Sequence, residues 1–341
     1  MGAITTLAVG LSGSAALAAP RLVVNVSTAE QLAAAMASAV PGETIQLADG
    51  TYHGEAFTSV SGTAAQPITL RGSSRAIIVN DTFVAATTPC PSGHTAYGIW
   101  LNGASYWRLS GFTVAYSKKG IVVDHGTGVV IAGVTVHDIS DEGIHFRTST
   151  TDSSIVGSVI YNTGLVQPGF GEGVYLGSAM GNWKCFGENN HTGPDRGDRN
   201  QVIGNRIGPG VAAEHIDIKE GTVDGQIIGN VFDGRGISGA NSADSWIDVK
   251  GSNYLIEGNL GTFAPTTGSV FADGYQIHEQ FGLGYGCGNR FTGNVSDLGG
   301  VGAYAVNVTD QPMCTAAGNP NVVDATNQVT GATIGLTNIP S

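Results

Sequence analysis

Gly120-Ile121-Val122-Val123-Asp124 is one of seven five-residue segments in this chain that alternate aliphatic positions with other residues. Side chains two apart on a strand lie on one face of a sheet, so each segment predicts a short strand with one aliphatic face. The first aliphatic positions of successive segments are 22, 23, 30, 42, 31 and 28 residues apart. The remaining segments are 98–102, 143–147, 173–177, 215–219, 246–250 and 274–278.

A glycine, often followed by asparagine, recurs in step with these segments. Glycine supplies the positive φ of a tight corner, and stacked asparagines can hydrogen-bond along a ladder. Two markers in one register, with a basic period near 22 residues and insertions, predict the coils of a solenoid. We therefore expect an all-β chain that forms a single right-handed parallel β-helix. The glycines are Gly111, Gly133, Gly157, Gly204, Gly229, Gly258 and Gly293.

The N-terminal part of the chain reads differently from the repeats. Residues 28–38 predict a short amphipathic helix, which would cap the first coil within a cap region of about 24–55. Residues 1–18 resemble the end of a signal peptide, since they are apolar and finish in Ala16-Leu17-Ala18; an ordinary apolar segment is the alternative. The β-helix domain is then expected over 19–341.

Composition limits the classes of function. The chain has 341 residues, 12% of them charged, and a net charge of -12, which argues against nucleic acid as a partner. Beyond the N-terminal segment, no stretch approaches the length of a membrane span. Four cysteines are an even set, and we expect disulfides in a secreted, extracellular monomer, with Cys287 paired to Cys314.

Stacking of the segments would bring their last positions into one column. Lys219 and Lys250 would then be neighbours. Asp217 and Asp248, each two residues before its lysine, would be neighbours as well. Adjacent cations in an acidic protein suit an anionic substrate, although a lattice of surface ion pairs is the alternative. The full column is Asn102, Asp124, Arg147, Gly177, Lys219, Lys250 and His278.

The chemistry that suits these residues is β-elimination on a uronic acid. Abstraction of the C5 proton requires a base, a cation that neutralises the neighbouring carboxylate, and an acid for the leaving oxygen. We expect Lys219 to be the base, because a neighbouring cation lowers the pKa of a lysine. Lys250 and Arg147 would neutralise the carboxylate, and Tyr175 or His278 would protonate the leaving group. The expected substrate-binding residues are Asp217, Asp248, His145, Gln276 and Trp100.

Two stretches resemble a known family. Residues 27–32, with the segments that follow up to 70, resemble the N-terminal cap of right-handed parallel β-helix polysaccharide lyases. Glu214-His215-Ile216-Asp217-Ile218-Lys219, followed by 227–232, resembles the central motif of polysaccharide lyase family 6, which contains alginate lyases and chondroitinase B. The resemblance implies that Lys219 is the Brønsted base and that Glu214 is a calcium ligand. Lys250 stands where that family has an arginine, and Ala212 stands where it has a second acid.

Other functions fit the same predicted fold. Asp217 and Asp248 could be the carboxylate pair of a glycoside hydrolase, and a C5-epimerase would share the proton abstraction. A non-catalytic carbohydrate-binding solenoid is a further alternative. The longest insertions, 178–199 and 233–245, would build the walls of a groove for an anionic polysaccharide.

Overall fold

The chain winds into stacked coils, each contributing one short strand to each of three parallel sheets. The computed structural model describes residues 22–81, 90, 96–267, 270–278, 284–309 and 311–340. The segment 1–18, which we predict to be a signal peptide, lies outside the described residues. Every pairing between neighbouring strands is parallel and joins successive coils.

The three sheets are named here by the order in which the chain first enters them. Sheet 1 contains β1 (Val23–Val26), β2 (Thr44–Leu47), β5 (Ile68–Arg71), β8 (Trp107–Ser110), β11 (Val130–Ala132), β14 (Ser154–Val156), β17 (Gln201–Ile203), β20 (Gln226–Ile228), β23 (Leu255–Glu257), β26 (Arg290–Thr292) and β29 (Val322–Val323). Sheet 2 contains β3 (Gly50–His53), β6 (Ala76–Val79), β9 (Thr113–Ala115), β12 (Thr135–His137), β15 (Val159–Tyr161), β18 (Arg206–Ile207), β21 (Val231–Asp233), β24 (Leu260–Thr262), β27 (Val295–Asp297) and β30 (Gln328–Thr330). Sheet 3 contains β4 (Ala56–Thr58), β7 (Ile99–Asn102), β10 (Ile121–Asp124), β13 (Ile144–Arg147), β16 (Val174–Leu176), β19 (Ile216–Ile218), β22 (Ile247–Val249), β25 (Tyr275–Ile277), β28 (Tyr304–Val308) and β31 (Gly335–Thr337).

The interior of the coils is apolar, and aliphatic side chains fill it where the repeated segments predict them. In sheet 3, Ile121 is paired with Ile144 on the next strand. Ile216 lies in the same row two strands beyond Ile144, and all three isoleucines are fully buried. One hydrophobic core runs from Val26 in the first strand to Ile339 near the last. Strands covered on their inner face by such a core are held by apolar burial along the whole axis.

A short helix covers the first coil. Helix α1 (Ala29–Ser38) begins after Thr28, whose side chain accepts a hydrogen bond from the backbone N–H of Gln31. Leu32 and Met36 on its inner face are buried in the core, which confirms the predicted capping helix. The remaining helical segments are α2 (Trp183–Phe186), α3 (Glu188–His191), α4 (Gln311–Ala316) and the single 3₁₀ turns Pro168–Phe170, Met180–Asn182 and Ala240–Ser242.

The corners behave as the glycine and asparagine markers predict. Gly133 and Gly229 both have positive φ angles, 61° and 64°, which a glycine adopts without strain. Four buried asparagines that follow the later glycines, and Asn327 after them, form a continuous ladder in which the side chains of successive members are hydrogen-bonded. The ladder consists of Asn205, Asn230, Asn259, Asn294 and Asn327.

Two disulfides stabilise the outer loops. Cys287 is bonded to Cys314, which confirms the predicted pair, and Cys90 is bonded to Cys185 across 95 positions of sequence. Among the described residues, none of the helices is both long and apolar enough to span a membrane.

Candidate active site

The outward face of sheet 3 carries the residues that the sequence pattern singles out. Strand pairing aligns the middle outward positions of nine coils in one row, called the floor column. The residues two positions further along each coil, at the end of its strand or directly after it, form a second row called the strand-end column. It pairs Asn102, Asp124 and Arg147 and continues to Lys219, Lys250 and His278. The floor column is Phe57, Trp100, Val122, His145, Tyr175, Asp217, Asp248, Gln276 and Asn307.

The two columns meet in a charged cluster of Asp217, Lys219, Asp248, Lys250 and His278. The Lys219 Nζ lies 2.5 Å from Asp217 Oδ2, and the Lys250 Nζ lies 3.7 Å from Asp217 Oδ1 and also contacts Asp248. The His278 Nε2 lies 3.3 Å from Asp248 Oδ1. The lysine side chains are only 13% and 16% exposed, so the cluster differs from the solvent-exposed lattice that we weighed as an alternative.

The carboxylates control the protonation of the lysines. Burial by itself lowers the pKa of Lys219, but the charges of Asp217 and Asp248 outweigh burial and hold that pKa above its ordinary value. The pKa of Lys250 is raised by the same balance. The prediction that a neighbouring cation lowers the pKa of Lys219 is therefore wrong, because each lysine lies closer to a carboxylate than the sequence pattern suggests. Both lysines are charged in the resting protein.

Tyr175 lies next to the lysines on the floor. Its ring centroid is 5.1 Å from the Lys219 Nζ, and the His145 ring packs edge-on against it at 4.4 Å. Burial and then the charge of Asp217 raise the pKa of Tyr175 well above its ordinary value. The phenol is therefore protonated at neutral pH and can donate a proton.

His145 has a defined tautomer. Its Nε2 lies 2.9 Å from the carbonyl oxygen of Gly177, which can only accept, so Nε2 carries the proton. Burial, followed by the charges of Lys119 and Arg147, lowers the pKa of His145 well below its usual value. A neutral imidazole therefore supports Tyr175 from the neighbouring coil.

Three glutamates flank the floor, and the sequence analysis predicts a role for only one of them, Glu214. Glu142, Glu172 and Glu214 occupy the same position in successive coils, immediately before the first residue of a repeated segment, and we call them the acidic ladder. All three are buried. The recurrence is present in the sequence, but residue type alone does not show that a residue between strands faces the site. Glu142 pairs with Lys119 and lies 3.6 Å from the Nδ1 of His145.

Part of this ladder could hold a metal ion. Carboxylate oxygens of Glu172, Glu214 and Asp217 lie within 4.8 Å of one another. Burial followed by neighbouring carboxylates raises the pKa of Glu172 well above its ordinary value and that of Glu214 to about 8. Within the described residues, Glu172 Oε2 and Asp217 Oδ1 are buried without a hydrogen-bond partner. Three crowded carboxylates, two of which have a buried oxygen without a hydrogen-bond partner, fit the all-oxygen ligand set of Ca²⁺.

Two predicted site residues lie apart from the charged cluster. Arg147 is 4% exposed and is bound by Asp124 through its Nε at 2.7 Å and its Nη2 at 3.0 Å. Trp100 donates its indole N–H to the same carboxylate at 2.7 Å. Trp100 and Val122 belong to a small apolar cluster with Tyr97 on this side of the sheet. Contact of Arg147 or Trp100 with a substrate stays a prediction, because both side chains are occupied by Asp124.

The other end of the floor is rich in amides. Gln276 donates to Asp244 Oδ1 at 2.8 Å and lies beside His278, with 3.1 Å between Oε1 and Nε2. Asn307, one coil further on, donates to Asp273 Oδ2 at 2.8 Å. The floor therefore changes from aromatic, through charged, to amide side chains along the axis.

A wall loop, residues 178–199, rises beside the strand-end column. Asp195 ties it to the coil before, since its carboxylate accepts from the N–H groups of Thr148 at 2.9 Å and Ser149 at 2.6 Å. The same carboxylate accepts from the hydroxyl of Ser178 at 2.7 Å. The sequence analysis predicts this loop as a groove wall. A Cβ on Gly177 would lie 3.6 Å from the Cβ of Lys219 and 3.7 Å from the carbonyl oxygen of Asp195, so this part of the loop lies close to Lys219.

Comparison with known proteins gives the same fold. A family model described as a right handed beta helix region matches residues 58–208. The alginate lyase from Paenibacillus sp. str. FPU-7 is 39% identical, with a TM-score of 0.78, over 92% of this chain and 97% of that chain. Pectate lyase Pel9A, at 18% identity over 88% of this chain and 72% of that one, has a TM-score of 0.58. The Streptococcus pneumoniae adhesin PfbA also has a TM-score of 0.58, at 13% identity over 91% of this chain and 84% of that one. The last two likenesses concern the fold alone, and no curated protein matches the sequence.

Proposed function

Because this chain belongs to the right-handed parallel β-helix polysaccharide lyases, the family of the Paenibacillus alginate lyase, we propose that it cleaves alginate by β-elimination. The observation that carries the proposal is the charged cluster beside Tyr175 on the groove floor. The two disulfides support an extracellular place of action.

The reaction breaks one C–H and one C–O bond of a uronate residue. A base takes the proton from C5, and the electron pair left behind forms the C4–C5 double bond. The bond from C4 to the glycosidic oxygen breaks, and that oxygen takes a proton from an acid. Charge that develops on the C5 carboxylate needs a cation. The products are a shortened chain and a chain that ends in an unsaturated uronate.

The roles follow from protonation and position. Lys250 is charged and 16% exposed at its side chain, so it neutralises the substrate carboxylate. Tyr175 carries its proton at neutral pH and donates it to the leaving oxygen. Lys219 is the base, in the fraction of molecules in which it has lost its proton, and it lies against the Tyr175 ring. Acid and base are thus adjacent on one floor.

A calcium ion fits the oxygen cluster described above. Glu172, Glu214 and Asp217 would hold it. When bound, it would compensate the carboxylate charge that keeps Lys219 protonated. In this site Glu172 would supply the second acid that the family has at the position of Ala212.

A glycoside hydrolase that uses Asp217 and Asp248 is the weaker reading. Each of these carboxylates contacts a lysine, and Lys250 holds down the pKa of Asp248 against burial. A hydrolase needs one carboxyl group with a raised pKa to serve as the acid. A C5-epimerase would use the same proton abstraction but would leave the polymer length unchanged.

A substrate panel tests the proposal. Alginate, pectate, glucuronan and a glycosaminoglycan are incubated with the protein, and ultraviolet absorbance and mass spectrometry detect unsaturated products. We expect product from alginate and a rate about a hundredfold to ten-thousandfold lower for Lys219→Ala, which is the range that general base catalysis contributes. Arg206→Ala, which removes an exposed charge from sheet 2, is the control. Full activity of Lys219→Ala, or saturated products, would contradict the mechanism.

A further inference from the structure

An aromatic pair stands where the wall loop meets a neighbouring loop. Trp183 belongs to the wall loop, and Tyr285 belongs to the segment between β25 and β26. Their ring centroids are 6.2 Å apart and their planes are nearly perpendicular, at 86°. Both side chains are half-buried, so part of each ring remains accessible.

The pair lies at the ends of the strands that carry the lysines. The Trp183 ring is 3.4 Å from the place that a Cβ on Gly221 would occupy, and Gly221 follows Lys219 by two residues. Met180 in the wall loop donates its N–H to the side chain of Glu220 in the same corner. Trp183 follows β16 and Tyr285 follows β25, whereas Lys219 and Lys250 follow the two strands between them, β19 and β22. The two rings therefore contact each other beside the turns that follow the lysines.

Each ring is fixed by a disulfide. Trp183 precedes Cys185 by two residues, and Tyr285 precedes Cys287 by two residues. The indole N–H of Trp183 also donates to the carbonyl of Ser178 at 2.9 Å. Exposed aromatic rings that are held this firmly lose little conformational freedom when a ligand packs on them.

We propose that Trp183 and Tyr285 form a sugar-binding subsite, on which the apolar face of a uronate ring packs beside the scissile residue. The proposal rests on the proposed function, because it takes the substrate to be a uronic-acid chain in the groove. The axial C–H groups of a sugar are weakly positive and pack on the negative face of an aromatic ring.

One cation lies among acidic groups near the pair. Burial raises the pKa of the Tyr285 hydroxyl and the charge of Arg196 opposes that rise, whereas the charges of Glu188, Asp198 and Glu220 add to it. Arg196 is bound to Asp198 at 3.0 Å and its side chain is 38% exposed. A cation beside two stacking rings can receive the carboxylate of the packed uronate. Such contacts act on the bound chain rather than on the reacting atoms.

Tryptophan fluorescence reads this subsite directly. The chain contains four tryptophans, and Trp100, Trp107 and Trp246 are no more than 9% exposed, which leaves Trp183 as the accessible one. Lys219→Ala, which should bind without turnover, is titrated with alginate oligomers. We expect a saturable change in emission that disappears in the double variant with Trp183→Phe. Unchanged emission at saturating oligomer, with binding shown by calorimetry, would overturn the proposal.

Kinetics give an independent measurement. Trp183→Ala and Tyr285→Ala should each raise KM for the polymer about threefold to tenfold and change kcat less than twofold, as expected for lost stacking. Tyr285→Phe keeps the ring and should keep KM, and Tyr116→Ala removes a ring that is 56% exposed elsewhere. If the KM of Tyr285→Ala equals that of the wild-type protein, the subsite is refuted. This outcome decides the proposal even if Trp183→Ala does not fold. A wild-type protein that binds oligomers with an emission change but releases no unsaturated product would refute only the proposed function.

Discussion

At the scale of single residues, the charge on Lys219 decides the behaviour of the site. Its folded-state pKa is raised, so the neutral base is a minor form at neutral pH and becomes commoner as pH rises. The rate that depends on this base should therefore increase towards alkaline pH. The same lysine in water, without Asp217 and Asp248, would supply more base at any given pH.

Removal of the Asp248 carboxylate should shift the pH dependence of the rate. Asp248 raises the pKa of Lys219, and it is not among the residues that we assign to calcium. In Asp248→Asn the pKa of Lys219 falls, so the rising limb of kcat/KM against pH should shift to lower pH. Asp297→Asn, an exposed change on sheet 2, should leave the profile in place. A rising limb that stays at the wild-type pH would contradict the role of Lys219 as the base.

Calcium should act on stability through the acidic cluster. Glu172 and Glu214 have raised pKa values because their charges are buried together, and a bound cation relieves that repulsion. Excess Ca²⁺ should raise the thermal midpoint of the wild-type protein, since a ligand that binds only the folded state stabilises it. Glu172→Gln should remove the gain, whereas the exposed Glu257→Gln should keep it. An equal gain in both variants would exclude this site.

At the scale of elements, the coil is the unit that the sequence predicts best. The repeated segments predict which residues face inward, and strand pairing confirms their register. The glycine markers predict the corners, and their positive φ angles confirm them. The approach of the lysines to their carboxylates was harder to predict. Register places Lys219 beside Lys250, but only side-chain geometry shows that Asp217 lies 2.5 Å from Lys219. Glu172 was missed because it belongs to a turn, where the strand alternation no longer tells which way a side chain points.

The asparagine ladder should be a large source of stability. Asn230 donates to the carbonyl of Val202 at 2.8 Å, and its side-chain oxygen accepts from the N–H and the amide of Asn205 at 2.9 and 3.0 Å. Asn230→Ala leaves these buried groups unpaired and should cost about 3 kcal/mol in the free energy of unfolding. Urea denaturation measures this. Gln226→Ala, at a partly exposed position on sheet 1, is the matched control and should cost under about 0.5 kcal/mol.

At the scale of the whole molecule, overall charge and local charge oppose each other. The protein has a net charge of -12, yet its proposed substrate is a polyanion that must reach two lysines. Long-range repulsion is screened by salt over about 10 Å at 0.1 M, whereas contacts inside a buried cluster are screened much less.

Moderate salt should therefore help binding. Between low ionic strength and about 0.15 M, where the screening length falls to about 8 Å, KM for the polymer should decrease severalfold while kcat stays constant. Steady-state kinetics in a salt series checks this, with a neutral osmolyte as the control. A steady rise of KM with salt would show that attraction by the lysines dominates approach.

The parallel stacking of coils also places the side chains of the groove at a regular spacing. An extended polymer that follows the floor column meets a new side chain about every 4.8 Å, the spacing between neighbouring strands. Each step of this spacing is one coil, whose basic length is about 22 residues. Duplication or loss of a whole coil would lengthen or shorten the stretch of polymer that contacts the protein and leave the other coils in register. The architecture thus allows a lineage to change how much substrate it grips without redesigning the residues that cut it.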